Sequence, residues 1–255
     1  MTPLLITLLV VAGITLLIVI GYLNNAVENN KVERARNKLE LSERLKRCET
    51  LNETFPSQLI NAPLKLLMTR LELNLNQRLL GVERKNPRYQ ARIAELEALI
   101  AKGEDIPVNN PPAPILTEAK AKDVRFLLEV LHNQVVRATA EGFLQNVESK
   151  HWIKEVHHIL VLLHIEFFNN LGQRALQQQQ PGQARLAFER GVQYLKKQAE
   201  PKQYEEQRLY LEKLLARADA QVLDQMEPTE DADNELNEGL RTDEEETWKK
   251  KSMYD

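Results

Sequence analysis

The sequence predicts an all-α protein, and three observations lead there. Apolar residues recur at three- and four-residue spacing in one stretch after another. Proline and glycine punctuate those stretches, and no segment alternates apolar and polar residues for long enough to read as a strand. In order, the chain divides into a transmembrane helix (1–23), a helical juxtamembrane stalk (24–50), a helical hairpin (51–105), a proline-rich linker (106–116), an antiparallel helical bundle (117–226) and a disordered acidic C-terminal tail (227–255).

The first element follows from its apolar run. Between Pro3 and Leu23 no side chain is charged, and fourteen of the twenty-one residues are Leu, Ile or Val. A hydrocarbon core about 30 Å thick needs roughly 20 apolar residues in a helix, so the run spans once. Its Leu, Ile and Val residues favour insertion by about 4 to 8 kcal/mol, less what Pro3, Gly13 and the two threonines cost. Met1-Thr2-Pro3 lacks the basic segment of a cleavable signal peptide and Tyr22-Leu23-Asn24 lacks small residues at a cut, so the run reads as a permanent anchor. Lys31, Arg34, Arg36, Lys38, Arg44, Lys46 and Arg47 follow the run and no base precedes it. That bias predicts an outside amino terminus and a cytoplasmic body, at the inner membrane if the host is bacterial. Cys48, the single cysteine, excludes a disulfide framework and is expected to be reachable from the cytoplasmic side.

From Asn24 to Glu49 nothing breaks a helix, and Val32, Ala35, Leu39, Leu45 and Cys48 form a thin apolar stripe. A parallel coiled coil wants three or four heptads and this stalk offers barely two, which is the whole case for a homo-oligomer through it. Phe55-Pro56 ends the stalk. After Pro63, Leu64, Leu67, Met68, Leu71, Leu75 and Leu79 recur at helical spacing up to Gly81. Asn86-Pro87 opens a second helix with Tyr89, Ile93, Leu96, Leu99 and Ile100 on one face, closed by Gly103. Pro107, Pro111, Pro112 and Pro114 then sit beside Asn109 and Asn110, a composition that reads as a stiff spacer.

In the second half, Thr117 caps a helix carrying Val124, Leu127, Leu128, Leu131 and Val135 that ends near Gly142. Ser149 caps the next, with Ile153, Val156, Leu160, Leu163 and Phe167 on its apolar face. Gln183 to Lys197 and Tyr204 to Met226 are helical again. Residues 51–226 are expected to fold without the anchor.

Phe168-x-x-Leu171-Gly172, then Pro181-Gly182, then Ala184-x-x-x-Phe188-x-x-Gly191 carry a family resemblance. The spacing resembles one tetratricopeptide repeat, in which small residues let two antiparallel helices approach closely while larger ones fill the seam. Phe168 stands where that family prefers Trp and Ala175 where it prefers Tyr; the closing proline comes late, at Pro201. The resemblance covers one repeat, with Tyr204 to Met226 as its capping helix. It implies a concave face on the first helix that holds a peptide, and here that helix offers Glu166, Asn169, Asn170, Gln173 and Gln177 at three- and four-residue spacing. Asn170 matches the asparagine that often holds a ligand's backbone in such repeats.

Enzyme chemistry finds no support. No Gly-rich phosphate loop, Gly-x-Ser-x-Gly or His-Glu-x-x-His occurs. Glu129-x-x-His132 and Glu155-x-x-His158 resemble a di-iron ligand supply, but Glu129 lies about 140° from its helix's apolar direction and so points outward. His151 with His158, and His157 with His164, stand two turns apart, too far for one zinc ion. The expectation is no catalytic residue, no metal and no cofactor. Nucleic acid is excluded as a partner, because the tail from Glu227 carries eleven acids against four bases and the remainder sums to only +4. Trp248, followed by three lysines, is the one residue of that tail with a claim to a partner. The function this predicts is a non-enzymatic, membrane-anchored adaptor or scaffold for a partner protein, the alternative being a self-associating coiled-coil component of an envelope or division apparatus.

Overall fold

The computed structural model describes the backbone of residues 3–226 and the side chains at positions 13, 16 and 19–224. The acidic tail with Trp248 lies outside the described residues, as do most side chains of the expected anchor. Seven α-helices make up the described chain: α1 (Pro3–Thr54), α2 (Ala62–Val82), α3 (Pro87–Ile100), α4 (Glu118–Ala140), α5 (Asn146–Gln177), α6 (Pro181–Lys196) and α7 (Glu205–Met226). The all-α class therefore holds, and no strand occurs among the described residues. No helix among those residues is long and apolar enough to cross a membrane. The chain forms two compact units, Met1–Leu163 and His164–Asp255, with α5 running from the first into the second.

In the first unit α2 is the central helix. Leu64, Leu67, Met68, Thr69, Leu71, Glu72, Leu75, Asn76 and Leu79 are buried on it, an arc of about 200° at 100° per residue. Such an arc needs neighbours on two sides, and α1 and α3 supply them. Asn52 of α1 bonds to Glu72 and Lys38 pairs with Glu83, so residue numbers fall along α2 as they rise along α1: the two helices are antiparallel. The expected stalk stripe divides in two. Val32 and Leu39 are exposed, whereas Leu41, Leu45, Cys48, Leu51 and Phe55 recur at three- and four-residue spacing and are buried. Leu41, Leu45 and Cys48 form one cluster with Leu75 and Leu79, and Tyr89 of α3 packs on it.

The helix ends have local causes. Asn61 accepts from the Leu64 amide and opens α2, Asn86 does the same for Arg88 at the head of α3, and Thr117 for Lys120 at the head of α4. At the end of α4, Gly142 takes φ +77°. The Gly142 amide then donates to the Thr139 carbonyl and the Phe143 amide to Ala138, which uses up the orphan carbonyls and turns the chain. The next helix starts earlier than the sequence predicts. Asn146 begins α5, and Ser149 lies buried in its first turn instead of capping it, with its amide bonded to the Gln145 carbonyl.

The proline-rich segment 106–116 lies within the first unit, and Ile106 and Ile115 are buried. Asn110 Nδ2 donates to the carbonyls of Asn52 (2.9 Å) and Phe55 (3.0 Å), groups that the end of α1 leaves without helical partners. Gln58 and Ala113 exchange two further bonds. α4 lies antiparallel to α1: Arg137 pairs with Glu40, and Arg44 reaches Glu141 and Gln134. Burial alone pushes the Glu141 carboxyl up, but Arg44 and Arg78 outweigh it and hold that carboxyl below the usual range.

Cys48 is 1% exposed. Burial, then the nearby Glu72 carboxylate, push its thiol up to about 12, so the expected accessibility is corrected. A maleimide added to the folded protein should leave Cys48 unmodified until denaturant is added. Comparable labelling of the folded protein would show that this part of α1 is not packed.

The same residues move the boundary of the folding unit. A fragment starting at residue 51 lacks Leu41, Leu45 and Cys48, each worth about 1.5 to 3 kcal/mol of burial, and their sum rivals the whole stability of an ordinary domain. Residues 24–163 should therefore melt cooperatively by circular dichroism, while residues 51–163, which lack that stretch of α1, should show no cooperative transition.

Candidate partner-binding face

The second unit is built around α6. Gln179, at φ 58°, ends α5: its amide donates to Leu176 and the Gln180 amide to Ala175, the pattern that closes a helix through a left-handed residue. Pro181, whose missing amide costs nothing in a first turn, then starts α6. Pro181, Ala184, Ala187, Phe188, Gly191, Val192 and Leu195 are buried on it. They span one arc of about 140° at 100° per residue, and both α5 and α7 pack on it. A methyl group placed on Gly172 of α5 would collide with the Phe188 ring. One placed on Gly191 would lie 2.9 Å from Leu211 Cδ1 of α7 and 3.1 Å from Phe168 Cβ of α5. The small residues of the sequence pattern thus stand where helices touch most closely, with Phe188 fully buried and Phe168 and Leu171 half-buried. Arg185–Asp219 (2.9 Å) and Lys196–Glu212 (3.3 Å) tie α6 to an antiparallel α7.

An aromatic cluster sits at the α5–α6 seam. His164 stacks on Tyr194 at 4.6 Å between ring centroids, and Phe168 lies 6.3 Å from Tyr194 and 5.4 Å from Phe167. Sequence reasoning weighed His164 as a metal ligand and missed Tyr194. Its signal was the i, i+4 pair His164–Phe168, which puts two rings on one helix face toward the next helix.

The expected polar stripe does share one face of α5. Glu166, Asn169, Asn170 and Gln173 are half-buried and Gln177 is exposed. Glu166 and Asn170 are already engaged in contacts of their own. The Asn169 Oδ1 atom is buried and meets no hydrogen-bond partner among the described residues. Gln173 and Gln177, like Asn169, have no hydrogen bond among the described residues, and they are the more accessible members toward the end of the helix. Trp248, the other expected partner residue, lies outside the described residues.

The histidines and carboxylates weighed for metal chemistry fall elsewhere. Glu129 is exposed and paired with Arg125 at 3.3 Å, and Glu155 lies 3.5 Å from Asn61 Nδ2. Among the described residues no three His, Cys, Asp or Glu side chains are grouped as metal ligands would be. Sequence reasoning also passed over Glu72, fully buried on α2 and held by Asn52 (2.7 Å) and by Arg92 (2.7 Å from Nε, 2.6 Å from Nη2). A carboxylate four residues from Met68 and three from Leu75, inside an apolar stripe, was the available signal.

The α5–α6 seam makes a sharp prediction. Phe188→Ala should destabilise the second unit by about 3 to 5 kcal/mol, and Gly172→Ala by about 1 to 3 kcal/mol through overpacking against the ring. In the Phe188→Ala background the Gly172→Ala penalty should vanish, because the ring it strikes is gone. Additive losses in thermal melts would mean the two residues do not touch.

No protein-family model matches this chain, and no curated protein or solved structure matches it either. What stands is an all-helical protein whose described residues form seven helices.

Proposed function

We propose that this chain is a non-enzymatic, single-pass membrane adaptor whose cytoplasmic helical body holds a partner protein. One observation carries the reading. Leu16, Val19, Ile20, Tyr22 and Leu23 are each more than half exposed, on a helix that continues without a break into the packed residues from Leu41 onward. Apolar surface left in water costs about 25 cal/mol per Å². A bilayer removes that cost, and the uncharged run from Pro3 supplies the rest of a span.

Partner binding is assigned to the second unit. Its α5–α6 pair, with α7 packed on α6, has the small-residue spacing of a tetratricopeptide-like repeat, and the first helix of such a pair carries the peptide-facing residues. Gln173 and Gln177 offer donors and acceptors that fit a peptide backbone. Glu166 and Asn170, engaged in contacts of their own, complete the face together with Asn169.

A second reading, self-association through the stalk, has its own support. Val27, Val32 and Leu39 are 49%, 46% and 62% exposed on the stretch of α1 that precedes the core. Only Val32 and Leu39 are a heptad apart, which is too little for a stable coiled coil.

Asn170 is already engaged, so Gln173→Ala with Gln177→Ala is the pair that separates binding from folding. Proximity labelling from the body in native membranes identifies the partner bound by the parent chain. The double variant should melt within about 0.5 kcal/mol of the parent and capture that partner about tenfold less well, the loss expected from one or two hydrogen bonds. Undiminished capture would remove this face from consideration.

A further inference from the structure

A cavity of about 260 Å³ opens between the end of α1 and the first half of α4, lined by Thr54, Pro56, Val124 and Leu127 among others. An apolar cavity of about 150 Å³ admits a benzene molecule, so this one has room for a phenyl ring. Phe126, also on its wall, is 62% exposed. A hole that takes a ring and a ring without a hole therefore lie side by side on one patch.

The charges of the patch follow the same pattern. Lys120 and Asp123 both line the cavity, and neither side chain has a hydrogen bond or ion pair among the described residues. Their neighbours on α4 do pair, Glu118 with Lys122 and Arg125 with Glu129. One unpaired cation and one unpaired anion on a single patch match the same patch turned by two-fold symmetry.

We propose that a second copy of this chain occupies the cavity: each copy inserts its Phe126 ring into the other, and Lys120 of each faces Asp123 of its mate. In a two-fold interface residue i meets j and j meets i, so knob and hole must belong to the same surface. A different protein would need only the hole, and would leave Phe126 and one of the two charges without a purpose. An aromatic anchor closed off from water at the centre of a patch is also where binding energy concentrates. This inference does not depend on the adaptor reading, since the cavity lies in the first unit and the proposed partner face in the second.

The test uses the full-length chain in detergent micelles or nanodiscs. Sedimentation should give a dimer for the parent at tens of micromolar and a monomer for Phe126→Ala, with unchanged circular dichroism because the ring is exposed. Lys120→Glu should weaken the dimer at least tenfold, and Lys120→Glu with Asp123→Lys should restore it, as a structural effect of either substitution alone could not. Co-expressed chains carrying Phe126→Cys and Thr54→Cys should be joined by a short bifunctional thiol reagent far more than two Thr54→Cys chains are, with the buried Cys48 silent. A monomeric parent overturns the proposal. So does a dimer that survives both Phe126→Ala and Lys120→Glu, which would place self-association on the stalk.

Discussion

A carboxylate taken wholly out of water at Glu72 must be met from more than one side, and the first unit is arranged to meet it. Arg92 of α3 approaches one oxygen through two nitrogens, and Asn52 of α1 donates to the other. A charge left unpaired at such a depth costs several kcal/mol, and breaking a buried pair typically costs about 3 to 5 kcal/mol. α2 therefore cannot be buried as deeply as it is unless α1 and α3 are both in place. The bonds continue outward. Lys65 donates to the Asn52 carbonyl and to Asn110 Oδ1, and Asn110 donates to the last carbonyls of α1. Three helices and the proline-rich segment thus share one polar chain, which fixes their register in a way that interchangeable leucines could not.

Much of this fold was legible in the sequence. Asn86-Pro87, Thr117, Gly103 and Gly142 mark helix ends by mechanisms that act within four residues, so they survive any tertiary context. The close approaches at Gly172 and Gly191 were legible too, since a missing Cβ beside a ring-bearing neighbour has few other uses. What escaped were decisions made at long range. Leu39 and Leu41 are equally apolar, yet only Leu41 lies in register with Leu45 and Cys48 against α2. Nothing within α1 chooses between them. Asn110 looked like one more loop asparagine, although its amide caps a helix more than fifty residues earlier. The polar face of α5 was visible as a stripe, but which of its members are already spent on contacts within the chain depends on partners the stripe does not name.

The division of α1 has a mechanical meaning under the adaptor reading. Between Leu23 and Leu41, the first packed residue, the helix runs about 27 Å at 1.5 Å per residue. Nearly every side chain along that length is exposed. A continuous helix transmits orientation as well as distance, so the body would be held off the bilayer at a set height and would turn with its anchor, unlike a domain on a Gly- or Ser-rich tether. The basic residues of this stretch, among them Lys31, Arg34 and Arg36, would then face the headgroup region and the water beside it.

The two units solve the packing problem by different means, and the difference bears on where recognition can occur. The first fills its core with leucines and closes it with buried ion pairs and amides; the second brings helices together through glycine and alanine. On α5, Asn169 Oδ1 is buried with no hydrogen bond among the described residues, a loss of about 1 to 3 kcal/mol. Capacity for new hydrogen bonds is greatest at the C-terminal end of α5. Gln177 to Gln180 are all exposed there, held by backbone bonds alone around the left-handed turn. Four adjacent amides on a turn whose backbone is already satisfied can each donate to and accept from an extended peptide without disturbing the fold. Under the adaptor reading, recognition begins at this end of the face and reaches back to Gln173.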